Sequence, residues 1–153
     1  MRLYYLSFFL FVTILSVHSQ IVIDNTPPYN TPNYLVNNVL LGGGIVATNH
    51  TFIGDPNQIG FFNGINSNIG IDSGVVLSSG SVLDLIGPNN SGSTSTSYLL
   101  PGDPTLDAVI FPDPTNDAAV LEFDFVPTSD TIRFKYVFGL SLIHISEPTR
   151  PLR

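Results

Sequence analysis

Cysteine is absent from all 153 residues, which excludes a disulfide framework and any thiol or thiolate-zinc chemistry. It also excludes the lipidated Cys that a bacterial lipoprotein carries after its signal. Stability must come from a packed core. Basic side chains are almost as scarce. Between Gln20 and Gly139 only Arg133 and Lys135 stand against ten Asp and Glu122, a formal −9 for that stretch. Nucleic acid and anionic membranes are read by basic patches, so this balance argues against both as partners. It favours solubility and cation binding.

Histidine is the third shortage. His18 and His144 lie in the terminal segments, leaving His50 alone between them. No Gly-x-Ser-x-Gly elbow accompanies it, so a Ser-His-Asp site has no sequence support. His50 is expected on a strand with its ring exposed or hydrogen-bonded. Asn49-His50-Thr51 fits the N-glycosylation pattern, a weak signal in a bacterial chain.

What is present begins with an address. Arg2 forms a short positive region, followed by an apolar run from Leu3 through Val17. At about 15 residues the run is shorter than the roughly 20 needed to span a bilayer. Val17-His18-Ser19 supplies tolerated residues at the −3 and −1 positions of a signal-peptidase site, with Gln20 next. Residues 1–19 are therefore read as a signal peptide. The mature chain is expected to be secreted or cell-surface, with no membrane span.

Thr31-Pro32 fits an N-cap followed by proline at the first helical position. Leu35, Val36, Val39 and Leu40 recur at helical spacing until Gly42-Gly43-Gly44. This predicts one short helix of about ten residues that covers a sheet. Beyond it the texture is β, with strands expected over Ile45 to Phe52, Gln58 to Phe62 and Gly74 to Ser78. Gly54-Asp55-Pro56 and Asn63-Gly64 are turn signals between them. Asn89 to Ser97 reads as a Ser/Thr/Gly/Asn-rich loop. Such spacing predicts an all-β sandwich or jelly roll with one short N-terminal helix.

Leu121, Phe123 and Phe125 alternate with Glu122 and Asp124, while Ile132, Phe134, Tyr136 and Phe138 alternate with Arg133 and Lys135. A hairpin closed at Pro127-Thr128-Ser129-Asp130 would pair Phe123 with Phe134 and Phe125 with Ile132. The same register would set Asp124 opposite Arg133 and Glu122 opposite Lys135. Each such pair contributes roughly 0.2–1 kcal/mol, and apolarity and charge select the same register.

Calcium is the specific ligand that the remaining motifs suit best. Asp103 with Asp107, and Asp113 with Asn116 and Asp117, place carboxylates, hydroxyls and carbonyls within single Asp-Pro-Thr turns. EF-hand spacing is absent, and Asp-Pro equally initiates ordinary turns. Paired carboxylates are plentiful enough for a glycan hydrolase on residue type alone, but Glu122 and Asp124 are expected to have strand-face partners.

Several segments also carry a family resemblance. Val22-Ile23-Asp24-Asn25-Thr26, Tyr34-Leu35-Val36, Asn38-Val39-Leu40-Leu41-Gly42 and Gly60-Phe61-Phe62-Asn63-Gly64 resemble the choice-of-anchor L domain. So do the run from Gly70 to Gly80, Asp117 to Phe125, and Phe134-Lys135-Tyr136-Val137-Phe138-Gly139. The resemblance implies an exported bacterial surface protein of modular construction, and it carries over no catalytic residues. In that family an acidic continuation and further strands follow the Tyr-Val-Phe-Gly segment. Here all 13 glycines precede Leu140, and the run to Arg153 resembles a translated sequencing adapter. The domain, residues 20–139, is thus expected to be C-terminally incomplete, with an artefactual tail over 140–153 and an exposed apolar edge at Ile132 to Phe138.

These readings converge on a non-catalytic surface module for adhesion or display. Surface glycans or other extracellular proteins are its expected partners, with calcium as a candidate ion. A calcium-dependent carbohydrate-binding module and a glycan-active hydrolase are the alternatives. Mass spectrometry of the exported chain is expected to find Gln20 as its first residue; a chain that retains Met1 to Ser19 would remove the export reading.

Overall fold

A computed structural model describes residues 20–41, 45–87, 94–128 and 130–139. The expected signal peptide, the glycine run, most of the Asn89–Ser97 loop and the tail from Leu140 lie outside these residues. Among the described residues five strands are formed: β1 (Val22–Asp24), β2 (Ala47–Ile53), β3 (Ile59–Asn63), β4 (Ser73–Leu77) and β5 (Val120–Phe125). They make two antiparallel sheets, β1-β3-β4 and β2-β5. The class is all-β and sandwich-like, with little helix. Among the described residues no helix is long and apolar enough to cross a membrane.

Sheet β1-β3-β4 is apolar on both faces, and the alternation within β3 shows why. Gly60 and Phe62 point one way, Ile59 and Phe61 the other. On the first side Phe62 lies opposite Ile23 in the ladder. These two form a buried cluster with Val82, flanked by Ile21, Ile69, Ile71 and Val76. Across the sheet Ile59 is fully buried, as are Leu35 and Val36 of the helix. Burying a Leu, Val or Ile side chain stabilises by roughly 1.5–3 kcal/mol.

That helix, α1 (residues 32–40), is α-helical over Pro32–Tyr34 and continues in wider π-type turns over Leu35–Leu40. It touches β3 and β4 on one side and β2 on the other, and so joins the two sheets. Thr31 does not cap it as expected, because its hydroxyl donates to the Pro28 carbonyl instead, at 2.7 Å. Asn37 makes the tie to β2. Its Oδ1 accepts from Ala47 N–H at 2.8 Å, and its Nδ2 lies 3.1 Å from His50 Nε2. The His50 ring is thus hydrogen-bonded on a strand.

The hairpin expected between Leu121–Phe125 and Ile132–Phe138 does not form. β5 pairs with β2 instead, Ala47 facing Phe125 and Ile53 facing Val120. The acidic row expected to meet Lys135 and Arg133 is served from β2: Thr51 donates to Glu122 at 3.5 Å and Asn49 to Asp124 at 2.6 Å. A β-bulge makes this possible, since Asn49 and His50 together oppose Phe123. Asn49 takes φ +53°, which Asn tolerates better than most residues. Residues 131–139 belong to no strand. Ile132 and Phe134 turn toward the end of α1, where they share a cavity of about 160 Å³ with Leu40, Leu41, Ile45 and Phe125.

Gln58 is a fully buried polar side chain with three hydrogen bonds. Its Oε1 accepts from Asp55 N–H at 2.6 Å, while Nε2 donates to Ser79 O at 3.0 Å and Asp117 O at 2.8 Å. Asp55 returns the favour by accepting from Asn57 N–H, completing a capping box. Gly54 makes room: at φ +145°, a Cβ there would sit 2.8 Å from Gln58 Oε1. Gln58→Leu keeps the volume but strands one donor and two acceptors. At ~1–3 kcal/mol for each stranded group, a loss of about 3 kcal/mol or more is expected in urea denaturation. A loss below about 1 kcal/mol would show that water replaces these bonds at no cost.

Candidate functional site

The residues suspected of calcium binding all lie in one excursion between the Asn89–Ser97 loop and β5. Its centre is a second short helix, α2 (Pro104–Ile110), whose N-cap is Asp103. That carboxylate accepts from Thr105 N–H at 2.8 Å and Leu106 N–H at 3.0 Å, the role expected of Asp before a proline at the first helical position. One turn on, Asp107 Oδ1 accepts from both the N–H and the hydroxyl of Thr115, each at 2.6 Å. The Thr115 hydroxyl in turn accepts from Asp103 N–H at 2.9 Å. This relay pins the start of the excursion to its end. A Cβ at Gly102 would overlap Thr115, so only glycine permits the approach.

Asp117 closes the base. It adopts φ +53° and is buried. Its Oδ1 accepts from Leu100 N–H at 2.7 Å, and its Oδ2 from the Ser97 hydroxyl at 2.8 Å and Tyr98 N–H at 3.2 Å. Backbone bonds and an isolated bridge between Pro101 and Asn116 complete the neck. Asn116 is exposed and donates to Pro114 O at 3.5 Å, while Asp113 lies on the surface.

Asp103 and Asp107 thus share the Thr115 relay, whereas Asp117 serves the opposite side of the neck. Among the described residues no three His, Asp, Glu or Cys side chains converge as metal ligands. The engaged oxygens of Asp107 and Asp117 accept from N–H and O–H donors of the chain itself. Thr115 figured in the sequence only as the hydroxyl of an Asp-Pro-Thr turn, and Gln58 and Ser97 had no assigned role there. Only Gln58 had a readable signal: Asp55-Pro56-Asn57-Gln58 has the spacing of a helix-start capping box.

These hydrogen bonds set the acidity of the carboxylates. The Leu100 N–H, then the Ser97 hydroxyl, hold Asp117 below the ordinary aspartate value of 3.8, against the opposing effect of burial. Asp107 is lowered first by the Thr115 hydroxyl and then by its N–H. Asp24 is lowered in the same way by Thr26, whose hydroxyl and N–H bond it at 2.7 and 2.8 Å. A depressed folded-state value means that the unfolded chain takes up protons first. The stabilisation is therefore complete above the unfolded value and is lost as pH falls through the folded one. Thermal melts are expected to be level near neutrality and to drop below about pH 4. Asp117→Asn should melt lower at pH 7 and show a shallower acid limb. A parallel acid limb in the variant would mean that Asp117 is not part of this linkage.

No curated protein and no solved structure matches the chain. The family model of the choice-of-anchor L domain matches residues 22–141, a span that takes in every strand and both helices described above. The chain therefore belongs to the choice-of-anchor L domain family, which makes it a module of a surface-anchored bacterial protein.

Proposed function

We propose that the domain is a non-catalytic extracellular module that works by adhesion or display within a larger anchored protein. The observation that carries this reading is the use made of the acidic residues. Asp117 uses both carboxylate oxygens, and Asp103 and Asp107 one each, on the chain's own N–H and O–H groups, and Glu122 and Asp124 accept from β2. Carboxylates employed in this way build a rigid projection; a glycan hydrolase needs a facing pair free to hold a proton and a water or a nucleophile. His50 is likewise occupied by Asn37.

Cells whose surface protein lacks residues 22–139 are expected to keep the protein displayed but to lose adherence to protein-coated surfaces. Unchanged adherence would overturn the adhesive role. A glycan array read with calcium and with a chelator separates the carbohydrate-binding alternative, which requires calcium-dependent spots. Reducing ends released from any arrayed glycan would overturn the non-catalytic assignment.

A further inference from the structure

Between its two ends the excursion has no core. No residue from Ser97 to Asn116 is buried, those of α2 included. A segment without apolar anchoring lies at the low end of the stability range within a fold, where local opening precedes global unfolding. What holds it closed is polar. Tyr98 and Leu100 N–H donate to the Asp117 carboxylate, Thr105 and Leu106 N–H to Asp103, and Thr115 N–H to Asp107. Two backbone bonds cross the neck beside them, Asp117 N–H to Leu100 O at 2.9 Å and Ala118 N–H to Pro101 O at 3.2 Å.

The closed form also carries strain. Leu99 sits at φ +57°, in the left-handed region that a bulky residue adopts at a cost. Its side chain is 91% exposed, so apolar burial does not offset that cost. The Asp117 carboxylate does, by bonding the N–H groups of both neighbours of Leu99. Both ends of the segment are fastened to the sheets' side of the neck by other bonds. The Thr96 hydroxyl donates to Asp84 at 2.6 Å ahead of the entry, and Gln58 holds the Asp117 carbonyl at the exit. These two anchors mark the hinges.

We infer that residues 97–116 form an acid-released arm, which opens as a unit when Asp107 and Asp117 are protonated while both sheets stay folded. A carboxylate that takes up a proton loses the charge that strengthens the N–H bonds it accepts. The closed arm therefore binds fewer protons than the open one. Closure is complete above the ordinary aspartate value of 3.8 and weakens as pH falls through the lower values of the closed form. The titratable groups packed around the arm are Asp84 at its entry, Asp55 beside Gln58, and Tyr98, Asp103 and Asp113 within it. Ser97 to Asp117 contains no Lys, Arg or His. Repulsion among these aspartates favours protonation of the closed form, yet the hydrogen bonds outweigh it, since they hold Asp107 and Asp117 low. Opening is independent of what the domain adheres to.

Amide hydrogen exchange of the full chain, followed by NMR and expressed as protection factors, tests the arm. The amides of Tyr98, Leu100, Thr105, Leu106 and Thr115 should be protected at pH 7 and lose at least about tenfold at about pH 3. Those of β3 and β4 should keep most of their protection. At pH 7 Asp117→Asn, which turns an amide donor toward N–H groups, should reproduce the loss in the arm alone and flatten its pH dependence. Should that variant lose its far-UV spectrum, Thr115→Val takes its place. It removes the relay hydroxyl without changing charge, and should cost Asp103 and Thr115 their protection at pH 7. Asp113→Asn, at an exposed aspartate outside both latches, should leave the parent's profile unchanged. An arm already unprotected at pH 7, protection that survives at about pH 3, or arm and sheets that open together would each overturn the inference. So would an Asp113→Asn profile that matches Asp117→Asn, because charge alone would then set the opening.

Discussion

One buried amide and one buried carboxylate, Gln58 and Asp117, hold together parts of the chain that are far apart in sequence. Gln58 Nε2 reaches Ser79 after β4 and the Asp117 carbonyl before β5. The Asp117 side chain then fixes Ser97, Tyr98 and Leu100. The turn after β2, the end of the three-stranded sheet, the neck of the excursion and the start of the two-stranded sheet thus meet at two residues. Buried polar groups are costly when unpaired and specifying when fully paired. Here every bond of the network lands on backbone or on a side chain one residue away from it, so the junction has a single arrangement.

Around this junction the apolar packing is divided rather than continuous. Ile23, Phe62 and Val82 pack on one face of sheet β1-β3-β4, and Ile59 is buried on the other with Leu35 and Val36 of α1. The helix is the layer that both sheets share. A small divided core leaves much of the specificity to polar ties such as Asn37 to Ala47 and Gln58 to Asp117. It also explains why an excursion with no buried helix residue can be held in shape: its order comes from Thr115, Asp103 and Asp107, not from a core of its own.

The acidic character of the domain gains a structural meaning from these ties. An excess of carboxylates is compatible with cation binding, with catalysis and with plain solubility. In this fold many are backbone-facing acceptors that cap a helix, close a neck or brace a strand. The same Asp-Pro-Thr turns that suggested calcium form a helix N-cap and a hydroxyl relay within the chain. The excess that remains on the surface makes Arg133 and Lys135 conspicuous.

Composition and periodicity by themselves determined the class, the first helix and the strands β2 to β4, because alternation and turn residues act locally. Pro32 with Leu35 and Val36 specified a helix with one apolar side, and Asn63-Gly64 marked where the strand from Gln58 to Phe62 ends. The family was legible only as a resemblance of ordered motifs to the choice-of-anchor L domain, whose family model matches residues 22–141. Only the tertiary structure decided the partner of β5. Alternation and charge in Leu121–Phe125 fit Ile132–Phe138 as well as they fit β2, and a local pattern carries no information about which distant edge arrives. The bulge at Asn49, with side chains that reach Glu122 and Asp124, settled that choice in favour of β2. The duty of Asp117 was equally invisible, since its three donors lie 17 to 20 residues away and become neighbours only when the neck closes.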